Sequence, residues 1–255
     1  MVWLIIVEIY PGIIIKDLGL FISKLKLLVI SDLHIGYEEA LAEQGIHLPK
    51  SQYPEIKKLI KNLLEYFDPK EIVINGDVKH EFGSATRQEW IEVLDLIDFL
   101  KEYVEEIVVV RGNHDNFLIP ILKKKEVKLY DPFYLRDNIY FIHGHKELTI
   151  EAFNSKIIII GHEHPAISLR DELGIKYKFK CFLKGDINRQ TLIVLPSISP
   201  LMPGSSINEI NRNKFLSPIL HKYFSDEFEV YVSDPEIGTY FFGKIGMLKT
   251  LIVEE

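Results

Sequence analysis

Five short apolar runs, each ending in a polar cluster, constrain this chain more than any other feature of its sequence. The runs cover residues 27–30, 72–74, 107–110, 139–142 and 157–160 and are dominated by Ile, Val and Leu. Continuous apolar character, in place of alternation, is what strands need when both faces of their sheet are covered. The clusters that follow are Ser31-Asp32-Leu33-His34, Asn75-Gly76-Asp77, Gly112-Asn113-His114-Asp115, His143-Gly144-His145 and Gly161-His162-Glu163-His164. Loops after parallel strands converge at the carboxyl edge of an α/β sheet, so these five clusters can meet around one crevice.

Helical spacing separates the runs. Ile56, Leu59, Ile60, Leu63, Leu64 and Phe67 form one apolar stripe. Thr86 and Glu89 have the spacing of a capping box, which predicts a helix from Thr86 that buries Trp90, Leu94, Ile97 and Leu100. Strands alternating with helices indicate an α/β layered fold with parallel pairing in part of the sheet. After His164 the pattern turns to strand-like stretches at 177–183, 192–195, 228–232 and 239–245, so the part from about 166 reads as mostly β. Residues 1–7 read as an opening strand. Pro196, Pro200 and Pro203 mark a loop-rich stretch at 197–213 that either flanks the crevice or connects strands. No repeat or linker divides the chain, and residues 1–255 are expected to form a single domain.

Composition narrows the class. Hydrophobic residues at 47% and charged residues at 26% give the balance of a soluble globular protein. Glu8 interrupts the apolar start long before a membrane span would be complete, so no membrane partner is expected. The one cysteine, Cys181, offers no intramolecular disulfide and no thiolate zinc site, which fits a cytoplasmic location. A net charge of −7 gives no general basic surplus for nucleic acid, although bound metal would neutralise some acids and Lys123, Lys124 and Lys125 form a local basic helix end.

Carboxylates, imidazoles and an amide oxygen gathered at strand ends suit Mn, Fe, Zn or similar first-row ions better than Mg or Ca. A lone strand-ending Asp is commonly a turn former, and a lone His-x-His pair is commonly an ordinary surface or core feature. Five such clusters in register with five strands need a common purpose.

In this order the clusters resemble the signature of the calcineurin-like metallophosphoesterases: D-x-H, G-D, G-N-H-[DE], H and G-H-x-H. The resemblance covers roughly residues 26–165. It implies an α/β fold that is a four-layer α/β/β/α sandwich of two mixed sheets with flanking helices and a dinuclear metal site at one edge. Carried over by motif, it implies one ion on Asp32, His34 and His164, a second on Asn113, His143 and His162, and Asp77 between them. The cofactors implied are two divalent metal ions, Mn first, with Fe, Zn or Ni as alternatives. His114 would stay unligated and act on the substrate.

The departures from the family bear on substrate. Phosphoprotein phosphatases of this superfamily read G-D-x-x-D-R-G at the second motif, where this chain has Gly76-Asp77-Val78-Lys79-His80-Glu81. His80 replaces the carboxylate that orients the catalytic histidine, and Glu81 replaces the arginine that grips phosphate. Lys79 and His80 are therefore candidates for substrate binding. Gly76 to Gly83 and Gly161 to Pro165 look closest to an archaeal and bacterial branch related to the SbcD nuclease and to DNA-ligase-associated phosphoesterases. That resemblance implies a phosphodiester substrate, with nucleic acid and a DNA-repair partner in view. The leading expectation is phosphodiester hydrolysis. The alternatives are a nucleotide or sugar-nucleotide pyrophosphatase and a non-catalytic metal-binding scaffold. His145 is expected beside the substrate or behind the ligands, and Glu163 in a structural role.

Overall fold

The computed structural model describes residues 6–83 and 85–250. Of the proposed opening strand at 1–7, residues 1–5 lie outside the described residues. Among the described residues the first sheet has seven strands: β1 (Val7–Tyr10), β2 (Ile13–Lys16), β3 (Gly19–Ile22), β4 (Leu27–Ile30), β5 (Glu71–Ile74), β6 (Glu106–Val110) and β7 (Lys128–Tyr130). β1 to β4 form an antiparallel meander, and β4 to β7 run parallel. The second sheet contains β8 (Phe133–Arg136), β9 (Ile139–Ile142), β10 (Ile157–Ile160), β11 (Pro165–Arg170), β12 (Lys176–Ile187), β13 (Gln190–Val194), β14 (Ser205–Ser206), β15 (Glu229–Asp234) and β16 (Gly238–Lys244). Within it β9, β10 and β13 are parallel, and the others pair mainly antiparallel.

Residue alternation along the strands explains why the runs are apolar throughout. Leu28, Ile30, Ile72, Ile74, Ile107 and Val109 face one core. They pack against α2 (Gln52–Phe67), α3 (Arg87–Lys101) and α4 (Ile119–Lys124), which follow α1 (Tyr37–Glu43) in the chain. Their neighbours Leu27, Val29, Val73, Val108 and Val110 face the second sheet and meet Ile139, Phe141, Ile157, Ile159 and Phe182. On that sheet's far side, Ile142, Ile158 and Ile160 join a third core. It is covered by α5 (Ile150–Phe153), α6 (Pro218–Tyr223) and α7 (Ile245–Thr250). The layers are therefore α/β/β/α. No helix among the described residues is long and apolar enough to cross a membrane.

Both predicted helices form. α2 buries Ile56, Ile60, Leu63 and Leu64, with Leu59 and Phe67 at the margin. Thr86 caps α3: its hydroxyl accepts from Glu89 N at 3.1 Å, while Glu89 Oε2 accepts from Thr86 N at 2.8 Å. The buried face of α3 is Val93, Leu96, Ile97 and Leu100, with Trp90 and Leu94 packed at its edge. Lys123 and Lys124 form the last turn of α4, and Lys125 caps it.

Strand register fixes where the polar clusters emerge. Ile30 lies beside Ile74, and Ile74 beside Val109, so the turns carrying Asp32, Asp77 and Asn113 leave one edge together. In the second sheet Ile159 lies beside Phe141, which brings His143 and His162 to the adjoining edge. The Asn75 amide joins the two sheets by donating to Ile142 O at 3.1 Å and Ile159 O at 3.4 Å.

Candidate metal centre

Among the described residues, two ligand groups that each contain a carboxylate gather at this edge, Asp32 with His34 and His164, and Asp77 with His143 and His162, each within 4.8 Å, and a third group, all imidazole, brings His34 together with His80 and His114 at the mouth. Asp32 Oδ1 is 3.0 Å from His164 Nε2, which lies 3.3 Å from His34 Nε2. Two imidazole nitrogens at that distance repel unless one carries a proton or both face a cation. Asp77 Oδ2 is 3.2 Å from His143 Nε2 and 3.8 Å from His34 Nε2, so one carboxylate oxygen faces both groups. His143 points Nδ1 at Asn75 O, 2.9 Å away, which directs Nε2 inward. Asn113 Oδ1 is buried with no hydrogen-bond partner among the described residues. An acceptor left in that state suits a cation and is costly without one. The donor set thus fits divalent metal.

Strain marks the same residues. Asp32, His34, Asp77, His162 and His164 all have φ between 48° and 67°. The left-handed region costs an L-residue about 1–3 kcal/mol, held here by surrounding hydrogen bonds. The Asp115 carboxylate accepts from Asp77 N at 2.8 Å, Val78 N at 2.9 Å and Gly112 N at 2.9 Å, tying two ligand turns together. Gly112 permits that approach, because a Cβ there would lie 2.1 Å from Asp77 Oδ1. Behind the Asp32 turn, Ser197 Oγ donates to Asp32 O at 2.6 Å and Gln52 Nε2 donates to His34 O at 2.9 Å. The stretch at 197–199 therefore flanks the centre.

Charge is held in the buried edge by mutual pairing. Burial would raise Asp32, but His164 and His143 beside it hold its carboxyl at about 2. Burial opposes ionisation of Asp77 too, yet His143 and His34 keep it well below the usual carboxylate range. Burial would lower His143, whereas Asp77 and Asp32 push it up to about 10. Burial brings His34 down to about 3 and His162 to about 4.

His114 stands at the mouth. Its Nε2 is 3.9 Å from Asp77 Oδ2, and its Nδ1 faces the backbone carbonyl of His80. The orienting acceptor is thus a main-chain oxygen and not the His80 side chain. The His80 ring packs on Tyr37, with centroids 4.1 Å apart, and its Nδ1 is buried with no hydrogen-bond partner among the described residues. Lys79 departs from its expectation as a phosphate-binding group. Its side chain is buried, and the ammonium donates to the carbonyls of Glu81 and Gly83. An isolated parallel bridge pairs Lys79 with the buried Ile35. His145 lies 5.4 Å from the His143 ring and 6.0 Å from His162. Glu163 accepts from Leu216 N and Ser217 N and braces the turn.

A family model described as calcineurin-like phosphoesterase matches residues 25–181, well over half of the sequence. The chain belongs to that family. Calcineurin-like phosphoesterases are metal-dependent hydrolases of phosphoric esters, and the two ligand groups sit within the matched span. The solved nuclease MPE of Pseudomonas putida shares the fold, with a TM-score of 0.66 and 17% identity, over 93% of this chain and 100% of that one. The phosphoesterase YfcE of E. coli is 17% identical over 68% of this chain and 80% of its own, with a TM-score of 0.40. A Vps29 single mutant from Entamoeba histolytica is 15% identical over 85% and 98%, also at 0.40. No curated protein matches the chain.

Sequence reading missed Ser197, Gln52 and the carbonyl of His80. A capping box signalled Glu89, but only as a helix start. None of the others has a sequence signal, because a backbone carbonyl or a bridging serine acts through its three-dimensional neighbours.

Proposed function

We propose that this phosphoesterase hydrolyses phosphodiesters with two divalent ions, one on Asp32, His34 and His164, the other on Asn113, His143 and His162, and Asp77 serving both. The position of Asp77 Oδ2 between the two groups, 3.8 Å from His34 Nε2 and 3.2 Å from His143 Nε2, carries this reading. Mixed imidazole and carboxylate donors favour Mn, with Fe, Zn and Ni also compatible. When bound, the ions would polarise phosphoryl oxygens and lower the pKa of a water between them. His114 keeps Nδ1 on the His80 carbonyl and presents Nε2 beside Asp77, where it hands a proton to the departing oxygen.

Two residues favour diesters. Glu81 stands where monoester-cleaving relatives place an arginine, and the Lys79 ammonium is spent inside its own loop. The second negative charge of a monoester therefore meets no cation from this segment, whereas a diester carries one charge. Nucleic-acid diesters come first among natural candidates, given the nuclease that shares the fold.

Metal-stripped protein resupplied with Mn should cleave an aryl phosphodiester well ahead of the matching monoester. His114→Ala should lose about 10²- to 10⁴-fold of that turnover, the range of general acid–base contributions. Preference for a diphosphate bridge would replace this reading with a pyrophosphatase. Failure on every phosphoester, with a stable protein partner instead, would replace it with a scaffold.

A further inference from the structure

Glu89 is the third helical residue of α3 and at first sight a helix-capping group. Its side chain is fully buried, and only one oxygen serves the cap: Oε2 accepts from Thr86 N at 2.8 Å. The other oxygen, Oε1, accepts from His80 N at 3.0 Å and from Glu81 N at 2.7 Å. These are the amides that flank the His80 carbonyl, the group facing His114 Nδ1. The carboxylate also lies against the first ligand turn. A Cβ on Gly36, two residues after His34 and at φ +89°, would lie 2.4 Å from Glu89 Cγ.

We infer that Glu89 is a positioning residue for His114, holding the 80–81 loop so that its carbonyl fixes the imidazole with Nδ1 protonated and Nε2 toward the substrate. A carboxylate taking two consecutive amides pins the peptide units on both sides of the His80 Cα, and because the Glu81 N–H lies opposite the His80 carbonyl in one plane, it sets the carbonyl direction as well as the loop position. Lys79 tightens the same loop from inside through the carbonyls of Glu81 and Gly83. Where the usual partner of this histidine is a carboxylate, its rotamer supplies the aim. Here the acceptor is backbone, and aim must come from whatever holds the backbone. This inference rests on the proton-donating role proposed for His114.

Thr86→Ala provides the control, because it removes the hydroxyl half of the cap while leaving both Glu89 contacts to the loop in place. Glu89→Ala and Thr86→Ala both weaken the start of α3, but only the first frees the His80 peptide. Turnover of two Mn-supported diesters would be compared, one releasing p-nitrophenoxide, which leaves without a proton, and one releasing an alkoxide, which needs one. Glu89→Ala should slow the alkoxide substrate about 10- to 100-fold more than the nitrophenyl one, as expected for a displaced proton donor. Thr86→Ala should slow both equally and little, and Glu89→Gln should recover part of the loss. In ¹⁵N-histidine spectra of metal-free protein, the His114 signal, assigned by its absence in His114→Ala, should pass from one tautomer to a mixture in Glu89→Ala. Equal losses on both substrates with an unchanged His114 tautomer would overturn the inference. Should His114→Ala itself show no leaving-group dependence, the proton-donor role would fall first and the inference with it.

Discussion

The parallel strands of this molecule have two ends, and the same residue types are handled in opposite ways at each. At the amino ends, a hollow of about 620 Å³ is lined by Lys70, Glu71, Glu105, Glu106, Lys128 and Arg136, among others. These six charges are matched: Lys70 to Glu105 at 3.0 Å, Lys128 to Glu106 at 2.5 Å and Arg136 to Glu71 at 3.7 Å. At the carboxyl ends, two aspartates and four histidines are packed together in buried or half-buried positions, five of these six on left-handed backbone, beside an amide oxygen with no hydrogen-bond partner among the described residues. Volume alone would point to the wrong end. Chemistry is marked by groups whose native state is costly unless something else is bound, and the paired charges at the amino ends have no such need.

The strongest way to break this contrast is to remove the carboxylate that faces both groups, Asp77. Asp77→Asn should lower turnover by about 10³-fold, equivalent to the several kcal/mol that metal polarisation supplies, while circular dichroism stays native. Loss of fold together with activity would make Asp77 structural.

A second, intermediate effect concerns a half-buried cation behind the carboxyl ends. Lys180 Nζ donates to Ser197 O at 2.8 Å and to Ser199 O, bracing the stretch that holds Asp32. Burial lowers Lys180 to about 7, with Asp32 opposing. Its unfolded value lies near 10.5, so between pH 7 and 10.5 the unfolded chain binds more protons and stability rises with pH. Below 7 both states are protonated and the cost of the partly desolvated charge is felt in full. Urea unfolding at stepped pH should therefore show wild type gaining on Lys180→Met from pH 7 to 10, and a flat difference would place the amine in water. The smallest effect belongs to the amino ends, where Lys70→Met should leave turnover unchanged and alter stability by less than about 0.5 kcal/mol.

The contrast between the ends also explains what could be read in advance. Ile30, Ile74, Val110, Ile142 and Ile160 each end an apolar run at the carboxyl edge, and the candidate ligands follow within four residues, so periodicity and polar punctuation carry both the fold and the candidate site. The meander before β4 was less legible. Its strands are only four residues long, and the buried Lys16–Asp17 pair at 2.6 Å breaks the apolar pattern between β2 and β3. Lys79 is a substrate-binding candidate in the sequence because the motif around it lacks its usual arginine, but motif position does not show direction, and the side chain is buried with its ammonium on the carbonyls of Glu81 and Gly83. The supports at Ser197, Gln52 and Lys180 come from segments with no strand-end signature, and only folding brings them behind the Asp32 turn.

The central claim, a two-ion centre at the carboxyl edge, is tested most directly by counting bound Mn per chain after equilibrium dialysis of wild type and Asp77→Asn, with Lys70→Met as the control. Two ions in wild type and in Lys70→Met, and fewer in Asp77→Asn, is the predicted result. One ion or none in wild type, or an Asp77→Asn count that does not change, would contradict it.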